Sequence, residues 1–119
     1  MSSFMRNAYT AVLARGDWWE GRLETEPYEA AWAGEALFFV HVMQVRDGSG
    51  AGAALALARV QISPDGLHWV DEGASLQIAA QAQALAFARV REFGGWLRLA
   101  VEVPPGCSMQ VVATLALKA

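Results

Sequence analysis

Two histidines, one cysteine and a run of carboxylates are the residues of this chain best suited to chemistry. His41 stands inside the apolar stretch Leu37-Phe38-Phe39-Val40-His41-Val42-Met43-Gln44-Val45, and His68 follows the turn sequence Ser63-Pro64-Asp65-Gly66. A metal centre needs several His, Cys, Asp or Glu ligands at set spacing. A His-x-His pair followed by Glu would supply it, and His41-Val42-Met43 does not. His41 therefore reads as a buried or interface histidine with one hydrogen bond, and His68 as a solvent-facing one. The acids Asp17, Glu20, Glu24, Glu26 and Glu29 cluster in sequence. Paired carboxylates catalyse glycoside hydrolysis only when held at a defined separation across a cleft. Spread along one strand and its following loop, they read as a solvated acidic edge that discourages pairing with other sheets. Cys107 lies in Pro104-Pro105-Gly106-Cys107-Ser108, far from either histidine, and reads as a turn residue rather than a nucleophile. No Gly-x-Ser-x-Gly elbow is present, and Gly48, Gly50 and Gly52 have no lysine beside them. The expectation is a protein that is not an enzyme, with no metal and no cofactor.

The remaining chemistry is aromatic. Of the five tryptophans, Trp18, Trp19, Trp32, Trp69 and Trp96, Trp18 and Trp96 fall on the less apolar faces of alternating runs and Trp69 follows a turn. Trp18, Trp69 and Trp96 are the candidate ligand platform, rings on which a sugar could stack. Arg89 and Arg98 are cations able to stack on the same rings. The plainer reading places these tryptophans in a core or an interface, where large aromatic side chains dominate the energetics.

Composition narrows the classes. Of 119 residues, 55% are hydrophobic and 18% charged, which excludes intrinsic disorder. A chain of this size fits one domain, with residues 1–7 expected as a flexible N-terminal arm. So much apolar surface exceeds what one small core hides, and a homo-oligomer interface is its ordinary destination. The net charge is −3 and Lys118 is the single lysine, so no basic stripe for nucleic acid exists. Neither a signal peptide nor a membrane span is expected, and the location expected is cytoplasmic or in a particle assembled there.

These residues must be positioned by strands. Leu97, Leu99, Val101 and Val103 alternate with Trp96, Arg98, Ala100 and Glu102. Beyond Pro104-Pro105-Gly106, Val111, Ala113, Leu115 and Leu117 alternate with Gln110, Val112, Thr114 and Lys118. Period two is the signature of a half-buried strand, and two such runs around a short turn predict a hairpin. A second hairpin is predicted at Ser63-Pro64-Asp65-Gly66, where proline presets φ and Gly66 takes a left-handed position. Its leading arm puts Ala54, Ala56, Ala58, Val60 and Ile62 on one face and Leu55, Leu57, Arg59 and Gln61 on the other. Leu37 to Val45 is a strand covered on both faces, either by the second layer and a neighbouring subunit or by lying in the middle of a well-filled sandwich. Trp18 to Glu24 reads as a strand, Tyr9 to Leu13 as a short leading one, and 47–52 as a flexible loop. Between Ala74 and Phe93, the Ala/Gln content favours helix by propensity. Leu76 with Ile78, and Phe87-Ala88-Arg89-Val90-Arg91, instead predict two short strands around a loop. The sum is an all-β chain: a two-layer antiparallel β-sandwich of about seven or eight strands, jelly-roll or Greek-key like.

The stretch Val60 to Val70, with its Ser63-x-Asp65-Gly66-x-x-Trp69 turn, and the later Phe93-Gly94-Gly95-Trp96-Leu97-Arg98-Leu99 resemble small bacterial and phage-associated β-sandwich modules. The similarity covers the C-terminal half and its motifs are structural. It implies a sandwich with a binding or assembly role and transfers no catalytic residue. Together with the apolar surplus, it predicts a structural module that self-associates through apolar strand faces. The candidate interface residues are Leu37, Phe39, His41, Met43, Leu55 and Leu57. The partners expected are copies of itself, other proteins of a larger assembly, or a glycan.

Overall fold

The computed structural model describes residues 8–47 and 54–119. The expected N-terminal arm, 1–7, and the glycine-rich stretch 48–52 lie outside the described residues. Nine strands follow in order: β1 (Ala8–Glu20), β2 (Arg22–Glu24), β3 (Tyr28–Glu29), β4 (Glu35–Asp47), β5 (Leu55–Ser63), β6 (Val70–Ala79), β7 (Leu85–Arg91), β8 (Trp96–Glu102) and β9 (Cys107–Lys118). They form two antiparallel sheets, one ordered β1-β9-β4-β7 and the other β2-β8-β5-β6, with β3 also on β8. The two-layer antiparallel sandwich read from the alternation is therefore the architecture observed.

The layers exist because each long strand carries one continuous apolar face. On β9, Cys107, Met109, Val111, Ala113, Leu115 and Leu117 are buried, while the intervening residues are half-buried or exposed. On β8, Leu97, Leu99 and Val101 turn inward. Leu76 and Ile78 of β6 join them from the same sheet, and Phe38, Val40 and Val42 of β4 meet them from the other sheet. On β5 the inner positions are Ala56, Ala58 and Val60, all fully buried. Each fully buried Leu or Phe contributes roughly 1.5–3 kcal/mol relative to exposure.

The pairing differs from expectation in three places. Pro104-Pro105-Gly106 does not close a hairpin, because β8 pairs with β5 and β2 whereas β9 pairs with β1 and β4. The chain crosses there from one sheet to the other. Alternation specifies which side of a strand faces the core, and it says nothing of which edge finds a partner. The run Trp18 to Glu24 is likewise two strands in different sheets, divided at Gly21. That residue holds φ +63°, a left-handed conformation open to glycine at little cost. Upstream of it, Tyr9 to Glu20 is one strand rather than two, its register on β9 shifted by bulges after Val12 and Arg15. These splits, with the short β3, bring the count to nine.

Two other expectations hold. Ser63 to Val70 is a hairpin, with Ile62 opposite Val70, although Leu67 to Trp69 belong to the turn. Residues 74–91 form strands around a turn at Ala80–Ala84, not a helix. Here β-pairing overrides helix propensity, because Leu76 with Ile78 and Ala88 with Val90 supply inward faces that the core needs.

The segment after β2 is pinned to β8 by Thr25, whose backbone N–H donates to the Leu99 carbonyl at 2.9 Å. Its hydroxyl accepts from the Leu99 N–H, also at 2.9 Å. Ala30 N–H donates to the Gly95 carbonyl at 2.7 Å, and Gly34 N–H to that of Lys118 at 2.9 Å. These bonds fix the turn Ala30–Ala33 against both sheets.

If this core carries stability, Phe38→Ala should lower the unfolding free energy by about 3–5 kcal/mol in urea titration. Leu67→Ala, at a position 79% exposed in the turn, should change it by less than about 0.5 kcal/mol.

Candidate functional site

The outer faces of the two sheets differ in chemistry. On the β1-β9-β4-β7 sheet, the register sets Val12, Thr114, Phe39 and Phe87 in one row and Arg15, Val112, His41 and Leu85 in the next. A third row holds Thr10, Ala116, Leu37 and Arg89. The rings of Phe39 and Phe87 stand 6.1 Å apart, centroid to centroid, tilted by 32°. Phe87 remains 58% exposed and Leu85 66%. Glu35 and Arg91, paired at 3.2 Å, lie at one margin. His41 sits in the middle, its Nε2 3.1 Å from the Gln83 side-chain oxygen, a hydrogen bond with the imidazole as donor. This patch gathers Leu37, Phe39 and His41 from the expected interface. Met43 is displaced by a bulge between Val42 and Gln44 but remains on the exterior. Leu55 and Leu57 lie on the opposite sheet and do not join it. They border instead an open cleft of about 600 Å³ beside Pro104 and Pro105.

The other exterior, on β6-β5-β8-β2, is polar. Arg98 Nε donates to Gln61 Oε1 at 2.8 Å, and Gln61 Nε2 donates to Asp71 Oδ1 at 3.0 Å. Glu102 pairs with Arg59 at 3.5 Å and with Arg22 at 3.6 Å. Such half-exposed pairs add little stability individually, yet they keep this face wetted.

The tryptophans divide accordingly. Trp19 is in the core. Trp18 lies on the apolar sheet's exterior beneath Arg46, whose guanidinium carbon is 4.1 Å from the ring centroid. Trp69 carries Arg98 in the same way at 4.2 Å. Trp96 supports the turn: a Cβ placed on Gly66 would meet its ring atoms at 3.1 Å. The structure thus brings Trp69 and Trp96 to one end of the polar sheet and leaves Trp18 on the other sheet. Trp32, with no sequence pattern to mark it, is exposed at the tip of the Ala30–Ala33 turn. With Tyr9, Tyr28 and Ala8 it lines an open groove of about 430 Å³.

The turn itself is ordered by side chains. Buried Ser63 Oγ donates to Asp65 Oδ1 at 2.9 Å and accepts from the backbone N–H groups of Asp65 and Gly66. Asp65 accepts from the N–H groups of His68 and Leu67 at 2.9 and 2.8 Å, and its second oxygen meets His68 Nδ1 at 2.7 Å. The His68 backbone and then its ring, followed by the Leu67 N–H, hold the Asp65 carboxyl well below the usual carboxylate range. His68, Asp65 and Ser63 are accounted for by this scaffold. Asp17, Glu20, Glu24, Glu26 and Glu29 are all exposed. Among the described residues, no three His, Cys, Asp or Glu side chains converge as a metal site would require. No helix of the described residues is long and apolar enough to cross a membrane. Cys107 is a buried inward residue at the start of β9 rather than a turn residue.

No protein-family model and no curated protein sequence matches the chain. Solved structures do match in fold. The SPBc2 prophage-derived protein YomS superposes with a TM-score of 0.58 at 8% identity, over 97% of this chain and 96% of that one. A structure of infectious bursal disease virus, Gx strain, gives 0.55 at 14% identity, over 98% of this chain and 32% of its own. The CBM22-1–GH10 modules of Clostridium thermocellum xylanase 10B, complexed with xylohexaose, give 0.52 at 11%, over 95% and 25%. At these identities the likeness is one of fold. At that level the resemblance to phage-associated sandwich modules holds.

Two outcomes test the turn. Ser63→Ala should destabilise by about 1 kcal/mol in urea, since it removes the acceptor of two half-buried N–H groups. Because the fold depresses the Asp65 carboxyl, its stabilising share is present above the unfolded value near 3.9 and is lost as pH falls below it. Asp65→Asn should flatten the fall in unfolding free energy between about pH 4 and pH 2, measured by urea titration at each pH.

Proposed function

We propose that this chain is a non-catalytic structural module that assembles by packing copies of itself through the outer face of the β1-β9-β4-β7 sheet. One observation carries the reading: Val12, Phe39 and Phe87 with Leu37, Leu85 and Val112 meet water on one face of the sandwich, with Thr114, Thr10, His41, Arg15 and Arg89 interspersed among them. The opposite face, by contrast, is laced with ion pairs and hydrogen bonds. Large apolar side chains gathered on one outer face mark an interaction surface. A four-stranded face about as long as β4 and β9 presents roughly 800 Å² per partner, the size of a standard interface. A face-to-face pair related by a two-fold axis would set one Phe39–Phe87 row against another.

The larger context proposed is a phage-like particle or another large assembly. The prophage-derived and viral structures support this only through shared fold. A carbohydrate-binding module acting through Trp18, Trp69 or Trp96 has less support. Trp18 and Trp69 already carry guanidinium groups and Trp96 supports Gly66.

Light scattering behind size exclusion, from about 1 to 100 µM, tests the reading. The wild-type chain should run above its 12.8 kDa monomer mass. Phe87→Glu should return it to the monomer with unchanged circular dichroism, and Leu55→Glu on the other sheet should not. A wild-type monomer at every concentration would overturn the proposal.

A further inference from the structure

Aromatic side chains meet solvent at several places on this molecule, and two of those sites already hold a cation. Arg46 lies over Trp18 and Arg98 over Trp69, each guanidinium close to 4 Å from its ring centroid. The groove formed by Tyr9, Tyr28 and Trp32 has no such guanidinium among the described residues. It is built from edge strands of both sheets. Tyr9 sits opposite buried Leu117 on β9, and Tyr28 opposite buried Leu97 on β8. Both tyrosines therefore occupy the inward side of their strands, at the rim where the sandwich ends, and among the described residues only Ala8 and Trp32 line the groove with them. Tyr9 is 55% exposed and Trp32 44%. The backbone behind them is rigid, since the Ala30–Ala33 turn is bonded to Gly95 and Gly34 to Lys118.

We propose that the Tyr9–Tyr28–Trp32 groove binds a quaternary ammonium group. The negative face of an aromatic ring attracts a cation, most strongly one that is weakly hydrated. A methylated ammonium has no N–H bonds to satisfy, which suits walls made of two phenols, an indole and the methyl of Ala8. A primary ammonium would forfeit hydrogen bonds to water in the same place. The walls themselves are uncharged: Glu29, next in the chain, is exposed on the other side of β3, opposite Trp96, and the net charge of −3 does not oppose a cation. Among the described residues a metal ion finds no carboxylate cluster here. The site does not depend on the assembly face, for it opens between the β1 and β3 edges.

The test is a titration of the full ¹⁵N-labelled chain with choline chloride, at ionic strength held constant with sodium chloride. The neutral isostere 3,3-dimethylbutan-1-ol is run in parallel. Amide signals of Tyr9, Tyr28 and Trp32 should shift and saturate with a Kd of roughly 10 mM, and the isostere should produce no comparable saturation. Trp32→Ala should weaken binding about five-fold with the remaining spectrum intact. Tyr28→Phe, which keeps the ring, should hold the Kd within about two-fold. No saturation with choline, equal binding of the isostere, or an unchanged Kd in Trp32→Ala would each overturn the assignment. These outcomes are read at the groove and are independent of oligomeric mass.

Discussion

The fold depends on the burial of one side of β9. That strand is hydrogen-bonded to β1 along one edge and to β4 along the other over nearly all its length. Its odd-numbered side chains from Cys107 to Leu117 fill the space between the layers. Fixing that register fixes which side of β1 and β4 faces inward, because a slip of one residue would expose every buried side chain. The bulges in β1 and β4 absorb the mismatches that remain, one of them placing Met43 outside the ladder.

With the inner faces settled, the outer faces are free to diverge, and they do. Gln61, Asp71, Arg98, Arg59 and Glu102 suit contact with water. Phe39, Phe87, Leu37 and Leu85 do not, and the desolvation of their surface is a driving force that grows with the area covered. One sandwich thus carries a wetted side and a more apolar side. The groove at the rim is a third environment, open to solvent and lined by rings.

The layers were legible in the sequence because period-two alternation is a local property. Trp96 to Glu102 and Gln110 to Lys118 could be assigned inner and outer faces without knowing their neighbours. Pairing was not legible, since strand edges are made of backbone that every residue shares; hence Pro104-Pro105-Gly106 was read as a hairpin. The interface residues were half legible. Leu37, Phe39 and His41 share parity and share a face, but Leu55 and Leu57 turn out on the other sheet. Phe87 carried a usable signal: Arg89 and Arg91 mark the outer parity of its strand, and Phe87 and Leu85 share it. Tyr9, Tyr28 and Trp32 had none. They are far apart in sequence, Tyr28 lies on a two-residue strand and Trp32 in a turn. Only the meeting of two sheet edges brings them together.

The central claim is that the Phe39–Phe87 side of the sandwich is covered by another copy of the chain. A photoreactive benzoylphenylalanine placed at position 87, and separately at position 57 on the opposite sheet, tests it directly in purified protein. Irradiation should yield a covalent species at twice the chain mass from position 87, with the bond mapping to the partner's β4 or β7. Position 57 should yield none. Absence of cross-linking at 87, or equal yields from both positions, would contradict the account.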